Sequence, residues 1–251
     1  MRVILLGTGF AVPSSSRVQS GILVETRDNL ILFDCGAGVV HRLAQSGYDS
    51  MDITHVFFTH HHLDHDSDFM ALLKANWLKD RKNLTVFGPM GTERWLSSLF
   101  EAYPYLKDRT DIGVMELENM AMVKIGGDVV EARSNKHALE GLAYRLTSSD
   151  KSMVYSGDTA PCEGVRGLCE GGVELLIHEC SFSDAGGESY ADHTTPEGLG
   201  RLLTGLPVKK VVLTHFSHMA EERLGEMKAS LGRYFKGEIM LGEDLMELEL
   251  V

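Results

Sequence analysis

The stretch FFTHHHLDHDSD, residues 57–68, gathers four histidines and three aspartates directly after an apolar run. Imidazole and carboxylate groups are suitable ligands for zinc, and also for manganese or iron. His60 and His62 are two residues apart, so in extended backbone their side chains point the same way. Asp64 and His65 follow at the expected start of a helix, from which they can reach a second position nearby. This HxHxDH pattern predicts ligands for two adjacent metal ions.

A solvated acidic loop is the alternative interpretation of this stretch, and it would explain one or two such residues. It does not explain four in this register, whereas His61 and Asp66 fall outside the predicted ligand set. Three further ligand types lie where predicted strands begin or end, namely His137, Asp158 and His215. Each has an ordinary structural explanation when taken alone. Together they repeat one design, a strand with a ligand type beside its end, which predicts a site built from loops.

The elements that must position these residues alternate along the chain. Aliphatic runs such as ITHVFF and ELLIHE predict buried strands. SDFMALLKANWLKD has helical spacing, with Phe69, Leu72, Leu73 and Leu78 as the expected inner face. The Thr194–Glu197 run offers a threonine N-cap and an early proline for a later helix, and the last strand is expected near EIMLG. A β-rich start and a mixed end in each half favour two sheets with helices on their outer faces.

Composition limits the classes of protein that this chain can belong to. It has 251 residues, of which 43% are hydrophobic, and no linker-like stretch, so we expect one domain over residues 1–251. The formal net charge of −12 is a poor match to a polyanion such as RNA, because non-specific affinity comes from neutralising phosphates. The first residues, MRVILLGTGF, lack the long apolar region and cleavage site expected of a signal peptide, no apolar run is long enough to span a bilayer, and none of the 4 cysteines forms a C-x-x-C pair. We therefore expect a cytoplasmic protein with reduced thiols and no membrane partner.

Eight motifs occur in an order that resembles the metallo-β-lactamase superfamily, and within it the ribonuclease Z-like hydrolases. They are LLGTGFAVPSSSR, ILFDCGAGVVHRL, THHHLDH, NKHALEGLAYRL, VYSGDTA, LIHECSF, DHTTPEGL and LTHFSH. THHHLDH carries the superfamily's HxHxDH signature, and the resemblance covers nearly the whole chain. It implies an α/β fold in the form of a four-layer αββα sandwich, with two divalent metal ions between the sheet edges. Zinc is the first expectation, with manganese or iron as alternatives.

The resemblance also assigns individual ligands. The predicted set is His60, His62 and His137 for one ion, Asp64, His65 and His215 for the other, and Asp158 as the bridge. Two such ions would hold a shared water and lower its pKa, giving a hydroxide that attacks phosphorus in line. The same ions would stabilise the charge that develops on the phosphoryl oxygens.

Two further residues match catalytic positions of the family, so the predicted catalytic residues are Asp64, His193 and Glu179. The resemblance implies that His193 faces the substrate phosphate, where it stabilises charge or protonates the leaving oxygen. Glu179 would pair with His193 and fix its tautomer. The alternatives are a helix-start histidine that packs locally and a structural carboxylate at a strand end. His178 and His218 receive no role.

The chain departs from the family in two places. Long-form ribonuclease Z enzymes carry a basic arm that grips tRNA between the ligand histidine and the bridging aspartate, whereas one hairpin fills the segment from His137 to Asp158 here. Asp68 stands where the signature commonly has glycine, which predicts a negative charge near the entrance. We expect FAVPSSSRVQSG and EAYPYLKDRTDIG to form loops on the substrate side. Arg17 and Lys136 could bind an anion, although a solvated surface charge is the simpler expectation for each.

The leading functional hypothesis is therefore a two-metal hydrolase that cleaves a phosphodiester bond in a small or short nucleotide-like substrate. Armless members of the family that resemble this chain act on small phosphodiesters, including cyclic ones. The alternatives are tRNA 3′-end processing, arylsulfatase- or lactonase-type hydrolysis, and a metal-binding scaffold without turnover. A homodimer is expected from the resemblance, since family dimers can share exosites between subunits.

Overall fold

The strand-forming runs of the sequence assemble into two mixed β-sheets in this computed structural model, which describes residues 1–12, 14–81, 83–184 and 191–251. The first sheet contains β1 (Arg2–Gly7), β2 (Gly21–Glu25), β3 (Leu30–Phe33), β4 (His55–Phe57), β5 (Asn83–Gly88), β6 (Asp111–Glu116) and the last strand, β14 (Met246–Glu249). The second contains β7 (Met122–Ile125), β8 (Asp128–Ser134), β9 (Leu142–Ser148), β10 (Lys151–Tyr155), β11 (Val173–Glu179), β12 (Val208–Thr214) and β13 (Glu238–Leu241).

Helices cover the outer face of each sheet. They are α1 (Val39–Gln45), α2 (Leu63–Asp66), α3 (Phe69–Leu78), α4 (Thr92–Ala102), α5 (Pro104–Lys107), α6 (Glu163–Cys169), α7 (Pro196–Leu202), α8 (His218–Glu221) and α9 (Leu224–Leu231), with a 3₁₀ turn at Ser50–Asp52. The central core joins the sheets through residues such as Phe33 and Tyr144. Two outer cores pack the first sheet against α1, α3 and α4, and the second against α6, α7 and α9. The predicted four-layer αββα sandwich is confirmed.

The two sheets repeat one connection pattern, and this pattern positions the site. β1, β2 and β3 pair antiparallel and β3, β4, β5 and β6 pair parallel. In the second sheet β7 to β10 pair antiparallel and β10 to β13 pair parallel. The carboxyl ends of parallel strands meet at one edge of a sheet. Loops after β3, β4, β10, β11 and β12 therefore converge where the two edges face each other.

Several predictions about elements are confirmed, and others are wrong. Asp64 and His65 lie in α2 as expected, and Thr195 caps α7 by accepting a hydrogen bond from the Gly198 backbone N–H. Phe69, Leu72 and Leu73 are buried, but Leu78 is 68% exposed because it is the last residue of α3.

Two strands were not predicted from the sequence. β6 includes part of a segment expected to be a loop, and β14 follows the strand expected to be last. β14 has the sequence MELE, and glutamates are poor strand formers on their own. It forms because it pairs with β1, where Arg2 lies 2.6 Å from the Glu247 carboxylate. No helix among the described residues is long and apolar enough to cross a membrane.

Candidate metal centre

The segment after β4 is fixed by the second sheet before it supplies its ligands. The hydroxyl of Tyr144 donates to the carbonyl of Phe58 at 2.6 Å, and the backbone N–H of Leu142 donates to the carbonyl of Thr59 at 2.8 Å. Both donors belong to β9, so the two sheets are tied together one residue before His60. The ligand segment therefore starts from a rigid point.

The first cluster consists of His60, His62, His137 and Asp158. His62 Nδ1 lies 3.0 Å from His60 Nε2 and 3.1 Å from His137 Nε2. Asp158 Oδ2 completes the group at 3.9 Å from His60 Nε2. His60 and Asp158 are buried, whereas His62 and His137 are partly exposed, so solvent reaches one side of this cluster. His137 keeps its orientation through Nδ1, which lies 3.0 Å from the backbone carbonyl of Asp192.

The second cluster consists of Asp64, His65, His215 and the same Asp158, and all four are buried. The Nε2 atoms of His65 and His215 are 3.4 Å apart. Asp158 Oδ1 lies 3.2 Å from His65 Nε2 and 3.4 Å from His215 Nε2. Asp64 Oδ2 lies 3.2 Å from His215 Nε2. Asp158 thus presents one carboxylate oxygen to each cluster.

The donor atoms of these clusters fit a divalent cation. His65 Nδ1 donates to Asp34 at 2.7 Å, so a cation that replaced any proton at Nε2 would meet a lone pair there. That lone pair faces Asp158 Oδ1, which has no hydrogen-bond partner among the described residues. Burial raises the pKa of Asp158, but His215 and His65 lower it further, so its pKa lies well below the usual range. Buried lone pairs that converge in this way require a cation between them.

Asp34, at the end of β3, was not identified from the sequence, yet it organises both clusters. Its carboxylate accepts from the backbone N–H of Thr59 at 2.7 Å, from the Thr59 hydroxyl at 2.8 Å and from the Tyr155 hydroxyl at 2.9 Å, besides His65. The Thr59 hydroxyl in turn lies 3.1 Å from His60 Nδ1. Asp34 therefore holds His65 directly and His60 through a hydroxyl. Its place after an apolar strand was the same signal that revealed the other residues.

A glycine is required immediately before Asp158. Gly157 has a φ of +56°, a conformation that side chains disfavour. A Cβ atom on Gly157 would also meet the side chain of Thr59 at 2.6 Å. The close approach of these two loops is what brings Asp158 between the clusters.

His193 lies beside both clusters and is held by Glu179, as the sequence predicted. Its Nδ1 is 2.9 Å from Glu179 Oε1. Its ring stacks on that of His215 with centroids 5.8 Å apart and lies 5.1 Å from that of His137. Burial lowers the pKa of His193, but the hydrogen bond and charge of Glu179 raise it further, so its pKa lies above the ordinary value. This environment favours the imidazolium form, a proton donor.

The remaining histidines of the motifs lie outside the clusters. His61 turns towards α4, where it is 2.8 Å from the Thr92 hydroxyl and 3.3 Å from Asp66, with its ring stacked on Trp95. His178 is fully buried on the opposite face of β11 from Glu179, and His218 is exposed at the start of α8.

The expectations for Asp68 and Arg17 need correction. Asp68 accepts hydrogen bonds from the backbone N–H groups of Gly38 and Val40 at 2.8 and 3.1 Å, so its carboxylate caps α1 instead of serving the entrance. Its φ of −85° does not call for glycine. Arg17 is not a solvated charge, because its side chain is only 9% exposed and lies 3.1 Å from the Glu221 carboxylate. Lys136 is exposed as expected.

Comparison with known proteins finds a family and individual relatives that match this chain in sequence. The profile of a family described as Anti-Pycsar protein Apyc1 matches residues 1–234. A protein named ribonuclease Z from Methanosarcina acetivorans is 28% identical, with 100% of this chain and 98% of the relative aligned.

Solved structures share the whole fold. The metallo-beta-lactamase fold protein YhfI from Bacillus subtilis superposes with a TM-score of 0.84 at 22% identity, covering 98% of each chain. The short form of human tRNase Z (ELAC1) superposes with a TM-score of 0.79 at 25% identity, covering 99% of each chain. The sheets, helices and loops described above thus form a metallo-β-lactamase fold.

Proposed function

This chain belongs to the Anti-Pycsar protein Apyc1 family, and from that membership and its site we propose a substrate and a mechanism for it. It is a metal-dependent phosphodiester hydrolase that resembles ribonuclease Z. We propose that it binds two divalent ions, with zinc as the first candidate, and that it cleaves a small nucleotide-like phosphodiester.

The observation that carries the proposal is the pair of clusters that share Asp158. His60, His62 and His137 would hold one ion, and Asp64, His65 and His215 the other. When bound, two such ions supply an activated water nucleophile and stabilise charge on the phosphoryl oxygens. The protein's own contribution is to fix the ligand geometry, through Asp34 for His65 and His60 and through the Asp192 carbonyl for His137.

His193 is the proposed general acid. Its Nδ1 is committed to Glu179, which leaves Nε2 available to the substrate. The hydrogen bond to Glu179 favours a proton at Nε2 as well, and the ring stacked on His215 lies beside the second cluster. We assign it the transfer of this proton to the leaving oxygen, with Glu179 holding the ring in the required tautomer.

A groove lined by sequence neighbours of the proposed ligands is our candidate for the site that holds the body of a small substrate. It has a volume of about 650 Å³ and is lined by His61, Trp95, Leu139 and other side chains of α4 and the loop after His137. Ligand pockets commonly have volumes of this order. Its link to the proposed reaction site is that His61 lies between two proposed ligands in the sequence and Leu139 two residues after a third. It offers an indole edge and aliphatic side chains to the body of a nucleotide-like molecule.

The loop that carries a tRNA-gripping arm in long-form ribonuclease Z is minimal in this protein. β9 and β10 are joined by Ser149 and Asp150 alone, with Ser148 paired to Lys151. The alignment with the M. acetivorans relative spans 302 positions, so that relative has about fifty residues without a counterpart in these 251. The net charge of −12 also makes the chain a poor general electrostatic match to a long RNA.

A chromogenic aryl phosphodiester assay tests the mechanism. The protein is stripped of metal and reloaded with zinc or manganese, and Asp158→Ala is compared with Asp150→Ala, an exposed aspartate in the β9–β10 turn. We expect metal-dependent turnover that Asp158→Ala abolishes together with the binding of at least one ion, while Asp150→Ala matches the parent. Absence of turnover with either metal would overturn the proposed activity.

tRNA 3′-end processing is the second candidate, because relatives that align with the whole of this chain are named ribonuclease Z. The two candidates separate by competition at physiological salt between precursor tRNA and a panel of linear and cyclic nucleotide phosphodiesters. Our proposal expects kcat/KM to favour the small substrates. Cleavage of precursor tRNA at its 3′ end with the higher kcat/KM would replace it with the tRNA assignment.

A further inference from the structure

Glu179 is the last residue of β11, and both oxygens of its buried carboxylate accept hydrogen bonds. Oε1 accepts from His193 Nδ1 at 2.9 Å and from the backbone N–H groups of Thr194 at 3.1 Å and Thr159 at 3.2 Å. Oε2 accepts from the backbone N–H of Ser181 at 3.0 Å and from its hydroxyl at 2.8 Å. Five donors match the acceptor-only form of a carboxylate and fix its position.

The hydroxyl of Ser181 has a defined direction because of this carboxylate. A hydroxyl has one proton, and the Ser181 proton is directed to Glu179 Oε2. The Ser181 oxygen must therefore accept from His215 Nδ1, which lies 2.9 Å away. All three groups are at most 2% exposed, so water does not compete for these bonds. The proton of His215 is thereby held at Nδ1, and its Nε2 lone pair faces Asp64 and Asp158.

We propose that Ser181 is a positioning residue that ties the metal ligand His215 to the carboxylate that also holds His193. This inference rests on the proposed function, because that function assigns His215 as a ligand and His193 as the general acid. One carboxylate then sets the orientation of two histidines on opposite sides of the reaction. A direct bond of 2.9 Å serves His193, whose Nδ1 also lies 3.3 Å from the Ser181 hydroxyl, and that hydroxyl extends the same carboxylate to His215 at 2.9 Å. Loss of the hydroxyl should release His215, whereas His193 keeps its shorter, direct bond to Glu179.

A metal titration of the stripped protein tests this role without any substrate. Ser181→Ala removes the hydroxyl, Ser181→Thr keeps it, and Ser181→Cys replaces it with a thiol, which is a weak donor. Removal of a group that orients a ligand typically weakens metal affinity 10- to 100-fold. We expect a loss of this size for one of two ions in Ser181→Ala and Ser181→Cys, and affinity within about threefold of the parent in Ser181→Thr.

Ser217→Ala is the matched control, because it makes the same chemical change two residues from His215. The Ser217 hydroxyl accepts from the backbone N–H of Ala220 at 3.2 Å and caps α8, so its loss affects stability without removing a bond to the ligand. We expect parental affinity for both ions. Equal losses in Ser217→Ala and Ser181→Ala would show that the effect is destabilisation and would overturn the proposal.

Histidine NMR of the loaded protein provides a readout that general destabilisation would not change. The Nδ1 proton of His215 should exchange slowly with water in the parent and in Ser181→Thr, and rapidly in Ser181→Ala. Unchanged exchange and unchanged affinity in Ser181→Ala would overturn the role of Ser181 alone. Failure of the parent to bind metal would instead overturn the proposed ligand set, so the two failures are distinguishable.

Discussion

Two buried carboxylates, one after β3 and one at the end of β11, support the site in similar ways but for different residues. Asp34 holds His65 directly and His60 through the Thr59 hydroxyl. Glu179 holds His193 directly and contacts the second histidine, His215, through the Ser181 hydroxyl. Each sheet thus contributes one carboxylate, one hydroxyl and two imidazoles.

The difference lies in what the paired histidines do. Both histidines of Asp34 are proposed ligands, one in each cluster, whereas those of Glu179 are one proposed ligand and the proposed general acid. Disturbing Asp34 should therefore act on metal binding alone, and disturbing Glu179 should act on metal binding and on proton transfer. Asp34, in the first sheet, thus orients two proposed metal ligands. Glu179, in the second sheet, orients one proposed ligand and the group proposed to protonate the leaving oxygen.

The largest expected effect tests the residue that Glu179 holds by a direct hydrogen bond, His193. His193→Ala should lower kcat by about 100- to 10,000-fold, because general acid catalysis commonly contributes this much. Metal content should stay parental, since His193 is outside both ligand sets. Steady-state kinetics and metal analysis measure the two quantities, with the exposed His218→Ala as the control. Loss of metal in His193→Ala would remove the distinction between the two carboxylates.

Asp34→Asn should weaken the binding of both ions by about 10- to 100-fold. The amide group would direct N–H donors at Thr59, Tyr155 or His65, each of which already donates to this position. Zinc titration of the stripped variant provides the measurement. Asp128→Asn is a suitable control, because Asp128 is also buried and accepts from Thr26 at 2.6 Å and Asn29 at 2.8 Å. A loss confined to one ion would contradict the two-cluster role of Asp34.

Thr59→Val should have a smaller effect, on one ion only. Valine retains the shape of threonine but removes the hydroxyl between Asp34 and His60, so affinity at the first cluster should fall by about tenfold. Thr26→Val is the control, because it removes an equivalent hydroxyl bond to Asp128, and neither residue belongs to the two clusters. It should leave the affinity for both ions unchanged. Thr59→Val could leave metal affinity unchanged while Ser181→Ala lowers it. The arrangements around Asp34 and Glu179 would then be alike in geometry but not in their effect on metal binding.

The smallest expected effect concerns a carboxylate that supports no histidine. Asp68→Ala should lower the free energy of unfolding by about 1 kcal/mol, since it removes the cap on α1. Urea unfolding measures this, and kcat/KM and metal affinity should remain parental. Loss of metal in this variant would show that the effects at Asp34 and Glu179 report on stability instead of on histidine orientation.

The sequence was sufficient to locate the residues that gather in the two clusters, because each ligand type lies beside a strand end. It was insufficient for the residues that orient them. Thr59 and Ser181 are ordinary hydroxyl residues whose value depends on a carboxylate one strand away. Asp34 carried the strand-end signal but stood in a motif noted only for its resemblance. A side chain that acts only by orienting another side chain follows no sequence pattern by which it could be recognised.

The fold was predictable in its layers and less so at its edges. Central strands have apolar runs that serve as a signal, whereas β6 and β14 have alternating or acidic sequences and form through their partners. Arg17 shows the same limitation for a single charge. Its burial follows from the nearby Thr8 and from Glu221 and the carbonyl of Gly242, which lie more than two hundred residues away along the chain.

The pairing of β14 with β1 has a consequence for biosynthesis. The outer edge of β1 (Arg2–Gly7) is paired by β14 (Met246–Glu249), which is translated about 240 residues later. At about 5–20 residues per second, roughly ten to fifty seconds of translation separate the two strands. An uncovered strand edge is a site for wrong pairing with other chains. The nascent protein must therefore avoid wrong pairing at this edge until β14 has been translated.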